Sequence, residues 1–213
     1  MAGLVVKPRA RIHHGHEWVY ATEVLKIFGA PADGDVISLK DGADRLLGSA
    51  IYNSRSQIIA RRFSRQRQEL DQGFFERRIS QALDYRKRHG LDLELCRLVW
   101  SESDGVPGLV VDRYGAHLVL QTLTQAMDQR KPLIANALSA IFCPQAIVER
   151  NDTPIRKAEG LPLLTGMLAG QPPAPFMIQV GGVEFEIDLL HGQKTGFYLD
   201  QRANYGTLCR KTK

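Results

Sequence analysis

Cysteine is scarce in this chain, and long apolar runs are missing. The 213 residues include three cysteines, Cys96, Cys143 and Cys209. They lie far apart, are odd in number and form no C-x-x-C pair, so they exclude a disulfide framework and favour free thiols in a reducing cytoplasm. No stretch of about 18 apolar residues is present, and the N-terminus turns basic before any secretory apolar region. We therefore expect neither a membrane-spanning helix nor a secretory signal.

The sequence also lacks the common catalytic motifs. It contains no G-x-S-x-G, no P-loop and no H-E-x-x-H, and no strand is followed by a G-x-G-x-x-G turn. His13, His14 and His16 form a small cluster, but the cations of Lys7 and Arg9 beside it disfavour a bound metal. No metal site is therefore assigned.

Acidic charge is deficient in the first part of the chain. Residues 1–90 hold 16 Lys and Arg against 10 Asp and Glu, whereas residues 91–213 hold 12 against 13. Six arginines and no acidic residue fall within positions 45–68. A one-sided basic region is typical of a surface that binds a phosphate backbone, and the alternative is a solvated charged surface.

The apolar periodicity predicts an α+β fold with two domains. Residues 1–63 alternate as short strands separated by turns, which suggests a small barrel. A helical pattern then begins at Asp71. The later predicted elements are strands within 98–122, a helix at 128–142, a strand at 146–150 and a hairpin at 176–190 that turns at Gly181-Gly182. In SESDGVPG, the carboxylates of Glu102 and Asp104 are candidate acids, but Asp-Gly and Pro-Gly favour a structural turn.

Charged, polar and aromatic residues are concentrated in HGQKTGFYLDQR, residues 191–202. Its Lys and Arg side chains are suited to binding an anion or a carboxylate, its Gln amides to hydrogen-bonding a polar ligand, and its aromatic rings to stacking on a base. The alternative is an amphipathic linker after the hairpin, and residue types alone do not decide between the two.

Several stretches resemble one family, the bacterial and archaeal ribosomal RNA cytosine-5 methyltransferases with an N-terminal PUA domain. The most specific is HGQKTGFYLDQR, followed by ESDGVPGLVVDRYG. The others are RIHHGHEWVY, LLGSAIYNSRSQIIARRF, FFERRISQAL, YRKRHGL and IVERNDTPIRKAEGL. Their order and spacing agree over almost all of residues 9–202.

The resemblance implies a PUA-like β-barrel at 1–70, a mixed α/β central domain at 71–190, and at 191–213 the start of a linker into a Rossmann-like methyltransferase domain. We expect that C-terminal domain to be absent from this chain, because no Asp-rich and Gly-rich cofactor loop follows Arg202. None of the cysteines lies in the family's Pro-Cys motif, so no catalytic residue is assigned. The chain alone is therefore expected to bind RNA without catalysis.

The resemblance also implies a cofactor and a macromolecular partner. Residues 191–202 are similar to the segment that lines the edge of the S-adenosylmethionine pocket. The candidate cofactor contacts are Gln193, Lys194, Thr195, Gly196, Phe197, Tyr198, Asp200, Gln201 and Arg202. The barrel is expected to bind ribosomal RNA through phosphate contacts and stacking. The candidates are Lys7, Arg9, Arg11, His14, His16, Trp18, Arg55, Arg61 and Arg62.

Other interpretations stay open. Each arginine of the barrel is otherwise a solvated charge, and Trp18 is otherwise a core anchor. The rival functions are a stand-alone PUA-type RNA-binding adaptor, a methyltransferase that acts on a different ribosomal RNA base, and an oligomerisation module. A homodimer is a further expectation.

Overall fold

The computed structural model describes residues 2–201 and Asn204. The described residues form thirteen strands and four α-helices. The strands are β1 (Gly3–Val6), β2 (Trp18–Tyr20), β3 (Val24–Phe28), β4 (Val36–Lys40), β5 (Leu46–Tyr52), β6 (Ile58–Ser64), β7 (Leu95–Trp100), β8 (Leu109–Tyr114), β9 (His117–Thr122), β10 (Ala146–Asn151), β11 (Leu164–Gly170), β12 (Phe176–Val180) and β13 (Val183–Ile187). The helices are α1 (Gln72–Arg88), α2 (Gln125–Gln129), α3 (Lys131–Phe142) and α4 (Ile155–Ala158).

Strands β1 to β6 form one sheet in the order β2-β6-β5-β4-β1-β3. The two outer strands, β2 and β3, are joined by a single 3₁₀ turn at Ala21–Glu23, which draws the sheet edges together and curls the sheet. We call this unit the barrel. Its interior is lined mostly by apolar side chains from the strands, whose successive residues point to opposite faces, and the segment after β1 adds Ala10 and Ile12. The buried members are Leu4, Val6, Ala10, Ile12, Val19, Ile37, Leu39, Ala50, Tyr52, Ile59 and Ala60.

Strands β7 to β11 form a second sheet in the order β11-β10-β9-β8-β7. Strands β9 and β10 are parallel, and the other neighbouring pairs are antiparallel. Parallel strands need a crossover, and here the chain supplies it through α2 and α3, which gives one βαβ unit, the unit from which Rossmann-like sheets are built. The prediction that a Rossmann-like methyltransferase domain is absent from this chain is therefore wrong, because residues 117–151 form a Rossmann-like βαβ arrangement.

Helices α1 and α3 cover one face of this sheet. The carboxylate of Asp71 accepts a hydrogen bond of 2.7 Å from the backbone N–H of Phe74, and so caps α1 where the sequence predicted it to begin. The helix predicted at 128–142 is instead two helices that meet at Arg130. Pro132 lies in the first turn of α3, where its fixed φ suits a helix start. Among the helices of residues 2–201, none is long and apolar enough to cross a bilayer.

The hairpin of β12 and β13 covers the opposite face of the sheet. Gly181 and Gly182 have φ of 62° and 88°, as a two-residue hairpin turn with a left-handed backbone requires. The hairpin and the residues after it share one apolar cluster with the sheet. Its buried members are Leu95, Tyr114, Val119, Val148, Val180, Ile187, Leu189 and Phe197. The segment predicted to carry function is thus packed onto a folded surface.

Candidate functional site

The segment at residues 191–201, called the site segment below, begins with a tight turn. The carboxylate of Asp188 accepts hydrogen bonds from the backbone N–H groups of Leu190 and His191, at 2.8 Å and 2.9 Å. The bond from His191 is the main reason that the pKa of Asp188 lies below its ordinary value. Arg150, which is buried, donates to the carbonyls of Leu189 at 3.0 Å and Gly192 at 2.6 Å. These bonds fix the path of the chain into the segment.

Thr195 anchors the segment to the second sheet. Its hydroxyl donates a hydrogen bond of 2.6 Å to Oδ2 of Asp112 and lies 2.9 Å from the hydroxyl of Tyr114. All three side chains are buried, and burial, reinforced by the charge of Asp112, raises the pKa of Tyr114. A cofactor contact through the hydroxyl of Thr195 is therefore not available in this geometry.

Phe197 also points into the fold. Its ring is buried and packs against Phe185, with ring centroids 5.0 Å apart. Gly196 between the two anchors has a φ of 122°, and a Cβ there would lie 2.7 Å from Cδ2 of Leu189. In this structure the ring of Phe197 is therefore a packing residue of the segment, and its role as a cofactor contact stays a prediction.

The remaining members of the segment face solvent. Lys194 lies 4.3 Å above the ring centroid of Tyr198, and its Nζ is 3.3 Å from each carboxylate oxygen of Asp200. The hydrogen bond from Lys194 lowers the pKa of Asp200. Tyr198 donates a hydrogen bond to Gln193, and Gln201 is exposed. The last predicted contact, Arg202, lies outside the described residues.

Two cavities open beside the segment. One has a volume of about 590 Å³ and is bordered by Lys194, Thr195, Asp152 and Gln121. The other, of about 810 Å³, lies between α1 and the hairpin. The two cavities share four lining residues, Arg97, Trp100, Leu199 and Asp200. A cation, an anion and an aromatic ring thus meet at one edge of the sheet.

The barrel presents five of the predicted RNA contacts on its surface. Lys7, Arg9, Arg11, His14 and His16 are all exposed between β1 and β2. The ammonium of Lys7 donates to the carbonyl of Thr22 at 2.7 Å. The guanidinium of Arg11 lies 4.7 Å from the ring centroid of Tyr20. The structure therefore groups these side chains on one exposed loop.

Arg55 is exposed on a different loop. Its guanidinium forms a loose ion pair of 3.7 Å with Asp33, and its side chain remains 70% exposed. An exposed pair of this kind contributes about 0 to 1 kcal/mol. Arg55 is thus free to exchange that carboxylate for another anion.

Two predicted RNA contacts, Arg61 and Arg62, lie instead in partly buried ion pairs. Arg61 pairs with Glu102 at 2.9 Å and with Glu159 at 3.4 Å. Arg62 is 7% exposed and pairs with Glu17 at 2.5 Å. Neither guanidinium lies on a free surface, so the expectation of an open basic face at these two positions needs correction. The physical reason is that the carboxylates that neutralise them come from distant parts of the chain.

Glu102 also receives a hydrogen bond of 2.8 Å from the indole nitrogen of Trp18. Burial opposes its ionisation, but bonds from Ser101 and Trp18 and the charge of Arg61 outweigh burial, so the pKa of Glu102 is lowered. The sequence offered Glu102 as a turn residue or a catalytic acid. The structure adds a third role, in which Glu102 joins the second sheet to the barrel.

Comparison with known proteins agrees with this geometry. The profile of a PUA-like domain matches residues 5–65. The ribosomal RNA large subunit methyltransferase I of Pseudoalteromonas translucida (strain TAC 125) is 40% identical over 202 residues, which span 93% of this chain and 51% of that protein. The protein of the same name from Yersinia pseudotuberculosis serotype O:1b (strain IP 31758) is 38% identical over 193 residues, or 88% of this chain and 48% of that protein. The chain thus spans about half the length of the curated relatives it matches.

Two solved structures share the fold. One is a protein proposed to be a methyltransferase, solved in complex with SAH, with a TM-score of 0.77, 22% identity, and coverage of 96% of this chain and 52% of that chain. The other is proposed to be a SAM-dependent methyltransferase from Streptococcus mutans, with a TM-score of 0.77, 21% identity, and coverage of 96% and 53%. Nearly all of this chain therefore shares its fold with about half of each of these structures, and this finding contradicts the expectation that the methyltransferase fold is absent from the chain.

Proposed function

We propose that this protein methylates carbon 5 of a cytosine in large-subunit ribosomal RNA, with S-adenosylmethionine as the methyl donor. The observation that carries the proposal is the 40% identity to a ribosomal RNA large subunit methyltransferase I across 93% of the chain. A match of that extent reaches beyond the barrel and through the second sheet to the site segment. It therefore supports an enzyme rather than a similarity of RNA-binding barrels alone.

The barrel supplies RNA affinity in this proposal. Lys7, Arg9, Arg11, His14 and His16 place cations and imidazoles on one exposed loop, which suits the phosphate backbone. Extracting a base from its stack costs a few kcal/mol. Binding energy gained away from the reacting base is able to meet that cost. Trp18, Arg61 and Arg62 support the barrel and its junction rather than contact RNA directly.

The site segment borders the cofactor in this proposal. The ammonium of Lys194 and the carboxylate of Asp200 lie at the rim of the 590 Å³ cavity, and they suit the carboxylate and the amino group of the methionine part of S-adenosylmethionine. When bound, that cofactor supplies an electrophilic methyl group. Gly196, Thr195 and Phe197 act beneath the rim, because they hold the segment in place. Gln193, Tyr198 and Gln201 complete the exposed contacts, and Arg202 stays a prediction.

No nucleophile is assigned to this chain. Carbon 5 of cytosine becomes reactive when a thiolate adds to carbon 6. Cys96 is buried, Cys143 is exposed at the end of α3, and Cys209 lies outside the described residues. The inactivity expected from the sequence depended on the expected absence of that domain, so the proposal is tested by methyl transfer itself.

The test uses purified protein, large-subunit ribosomal RNA and S-adenosylmethionine with a labelled methyl group, followed by digestion of the RNA to nucleosides. Labelled 5-methylcytidine supports the proposal. A different labelled nucleoside would keep the methyltransferase and reject the cytosine-5 specificity. RNA binding without any labelled nucleoside would favour the adaptor. The cytoplasmic location and the homodimer expected from the sequence belong to the same proposal, and light scattering after size-exclusion chromatography tests the dimer.

The cofactor contact has a separate test, independent of turnover. Binding of S-adenosylhomocysteine is measured by titration calorimetry for Lys194→Met and for a matched control, Lys157→Met, which replaces an exposed lysine far along the chain from the segment. Weaker binding by Lys194→Met alone supports the segment's role. Equal affinity in both variants would remove Lys194 from the cofactor site.

A further inference from the structure

Trp100 is the largest side chain at the meeting point of the two cavities, and neither the barrel nor the cofactor proposal uses it. It ends strand β7, and 47% of the residue is exposed although it lines both cavities. An exposed tryptophan leaves a large apolar area in water, and its position between two concave surfaces suits a flat ligand.

Arg97 lies over this ring. Its guanidinium carbon is 4.3 Å from the ring centroid of Trp100, which is within the range of a favourable cation–π contact. The same guanidinium makes a bidentate pair with Asp112, from Nε at 2.8 Å and from one terminal nitrogen at 2.9 Å. The pair holds the guanidinium plane fixed and leaves the other terminal nitrogen outside it. Arg97 therefore covers one face of the indole, while 47% of the residue stays exposed and lines the two cavities.

The backbone around Trp100 is also held in place. The N–H of Trp100 donates to Oδ2 of Asp104 at 2.6 Å, and Asp104 is itself paired with buried Arg86 at 2.5 Å. The next residue, Ser101, has a φ of 46°, in the left-handed region that a non-glycine residue seldom adopts. The indole is thus presented on a fixed turn instead of a free loop, so little ordering is needed when a ligand stacks on it.

We infer that Trp100, backed by Arg97, is a stacking platform for one unpaired nucleobase of the RNA. This inference rests on the proposed function and adds a substrate-binding position to it. Every base has a π face, and stacking on an aromatic side chain beside a cation is how proteins hold single-stranded nucleotides. The platform holds a base that has left its stack beside the segment assigned to the cofactor.

The test compares two RNA probes by fluorescence anisotropy. One is a ribosomal RNA hairpin with an unpaired cytosine in its loop, and the other is a fully paired duplex of the same number of phosphates. Trp100→Ala should weaken binding of the hairpin about 5- to 150-fold and leave binding of the duplex unchanged. Trp100→Phe keeps an aromatic face and should restore most of the affinity. Met177→Ala serves as the matched control, because Met177 is also exposed, at 56%, but lies outside both cavities.

A second measurement reports on the indole itself. The sequence has two tryptophans, so in Trp18→Phe the fluorescence comes from Trp100, and the hairpin should quench it far more than the duplex does. Equal affinity of the wild type and Trp100→Ala for the hairpin, with RNA binding still dependent on salt, would overturn the platform and leave the proposed function standing. Equal weakening of both probes would also overturn it. Failure of the wild type to bind either RNA would overturn the proposed function together with the platform.

Discussion

Replacing Thr195 by valine should detach the site segment from the second sheet. The hydroxyl of Thr195 is buried and is the donor to Oδ2 of Asp112 at 2.6 Å. It also lies 2.9 Å from the hydroxyl of Tyr114, whose other partner, the carbonyl of Phe197, is 3.5 Å away. Valine has nearly the same shape but no hydroxyl. The substitution therefore removes hydrogen bonds and leaves the packing volume unchanged.

The size of the effect follows from the charge of the acceptor. A hydrogen bond to a charged group contributes about 1.5 to 3 kcal/mol, and a buried partner left without its donor adds to the loss. Asp112 keeps its two bonds to Arg97, which limits that addition. We expect Thr195→Val to lower the free energy of unfolding by about 2 to 3 kcal/mol. For a chain of this size the midpoint of thermal unfolding should fall by about 4 to 12 °C.

Urea and thermal unfolding measure the loss, with Thr195→Ser as the matched control. Serine keeps the hydroxyl and loses one methyl group, so it should cost only about 1 kcal/mol. Trypsin should also cleave faster after Lys194 in the valine variant, because the segment is held by this contact. A Thr195→Val protein as stable as the wild type, or a serine variant as unstable as the valine variant, would refute the assigned role of the hydroxyl.

Two further predictions concern charge. The pKa of Glu102 is lowered from 4.5, so its contribution to stability is present above that pH and is lost as the pH falls through the lowered value. Glu102→Gln should therefore lower stability at neutral pH and flatten the acid decline in guanidinium unfolding, and an unchanged decline would contradict this. Lys7→Ala with Arg9→Ala should reduce the slope of log K for RNA binding against log salt by about one to two phosphate contacts. An unchanged slope would move the RNA surface away from this loop.

Local patterns in the sequence predicted the regular elements well. Strand β10 begins at Ala146 as predicted and ends one residue later than expected, Asp71 caps α1, and the Gly181-Gly182 turn closes the last hairpin. Each of these signals is contained in a few neighbouring residues, because caps and tight turns are local interactions. The sequence pattern did not predict strand β3, where the alternation of apolar and polar residues is weaker. Strand β3 carries Leu25 and Ile27 exposed at 60% and 43%, so its apolar residues do not alternate with burial.

The sequence alone did not predict which residues pair when they lie far apart along the chain. The run of arginines at 45–68 predicted a basic face, yet Arg61 is neutralised by Glu102 and Glu159, which lie 41 and 98 positions away. A single sequence gives the types of these residues but not which carboxylate meets which cation. The same limit applies to Thr195, whose partner Asp112 is 83 positions away. The concentration of polar residues in the site segment was visible, but the division into inward anchors and outward contacts required the fold.

The stretch ESDGVPGLVVDRYG links the barrel to the site segment, because each of its ends contacts one of them. At its start, Glu102 binds Trp18 and Arg61 of the barrel. At its end, Asp112 and Tyr114 hold Thr195 of the site segment. Strand β8 joins the two ends, so in the proposed function RNA held on the barrel would lie at a set position relative to the segment. Fixed placement of a reactant is itself a source of rate enhancement, so the same proposal gives the barrel a positioning role in addition to its affinity.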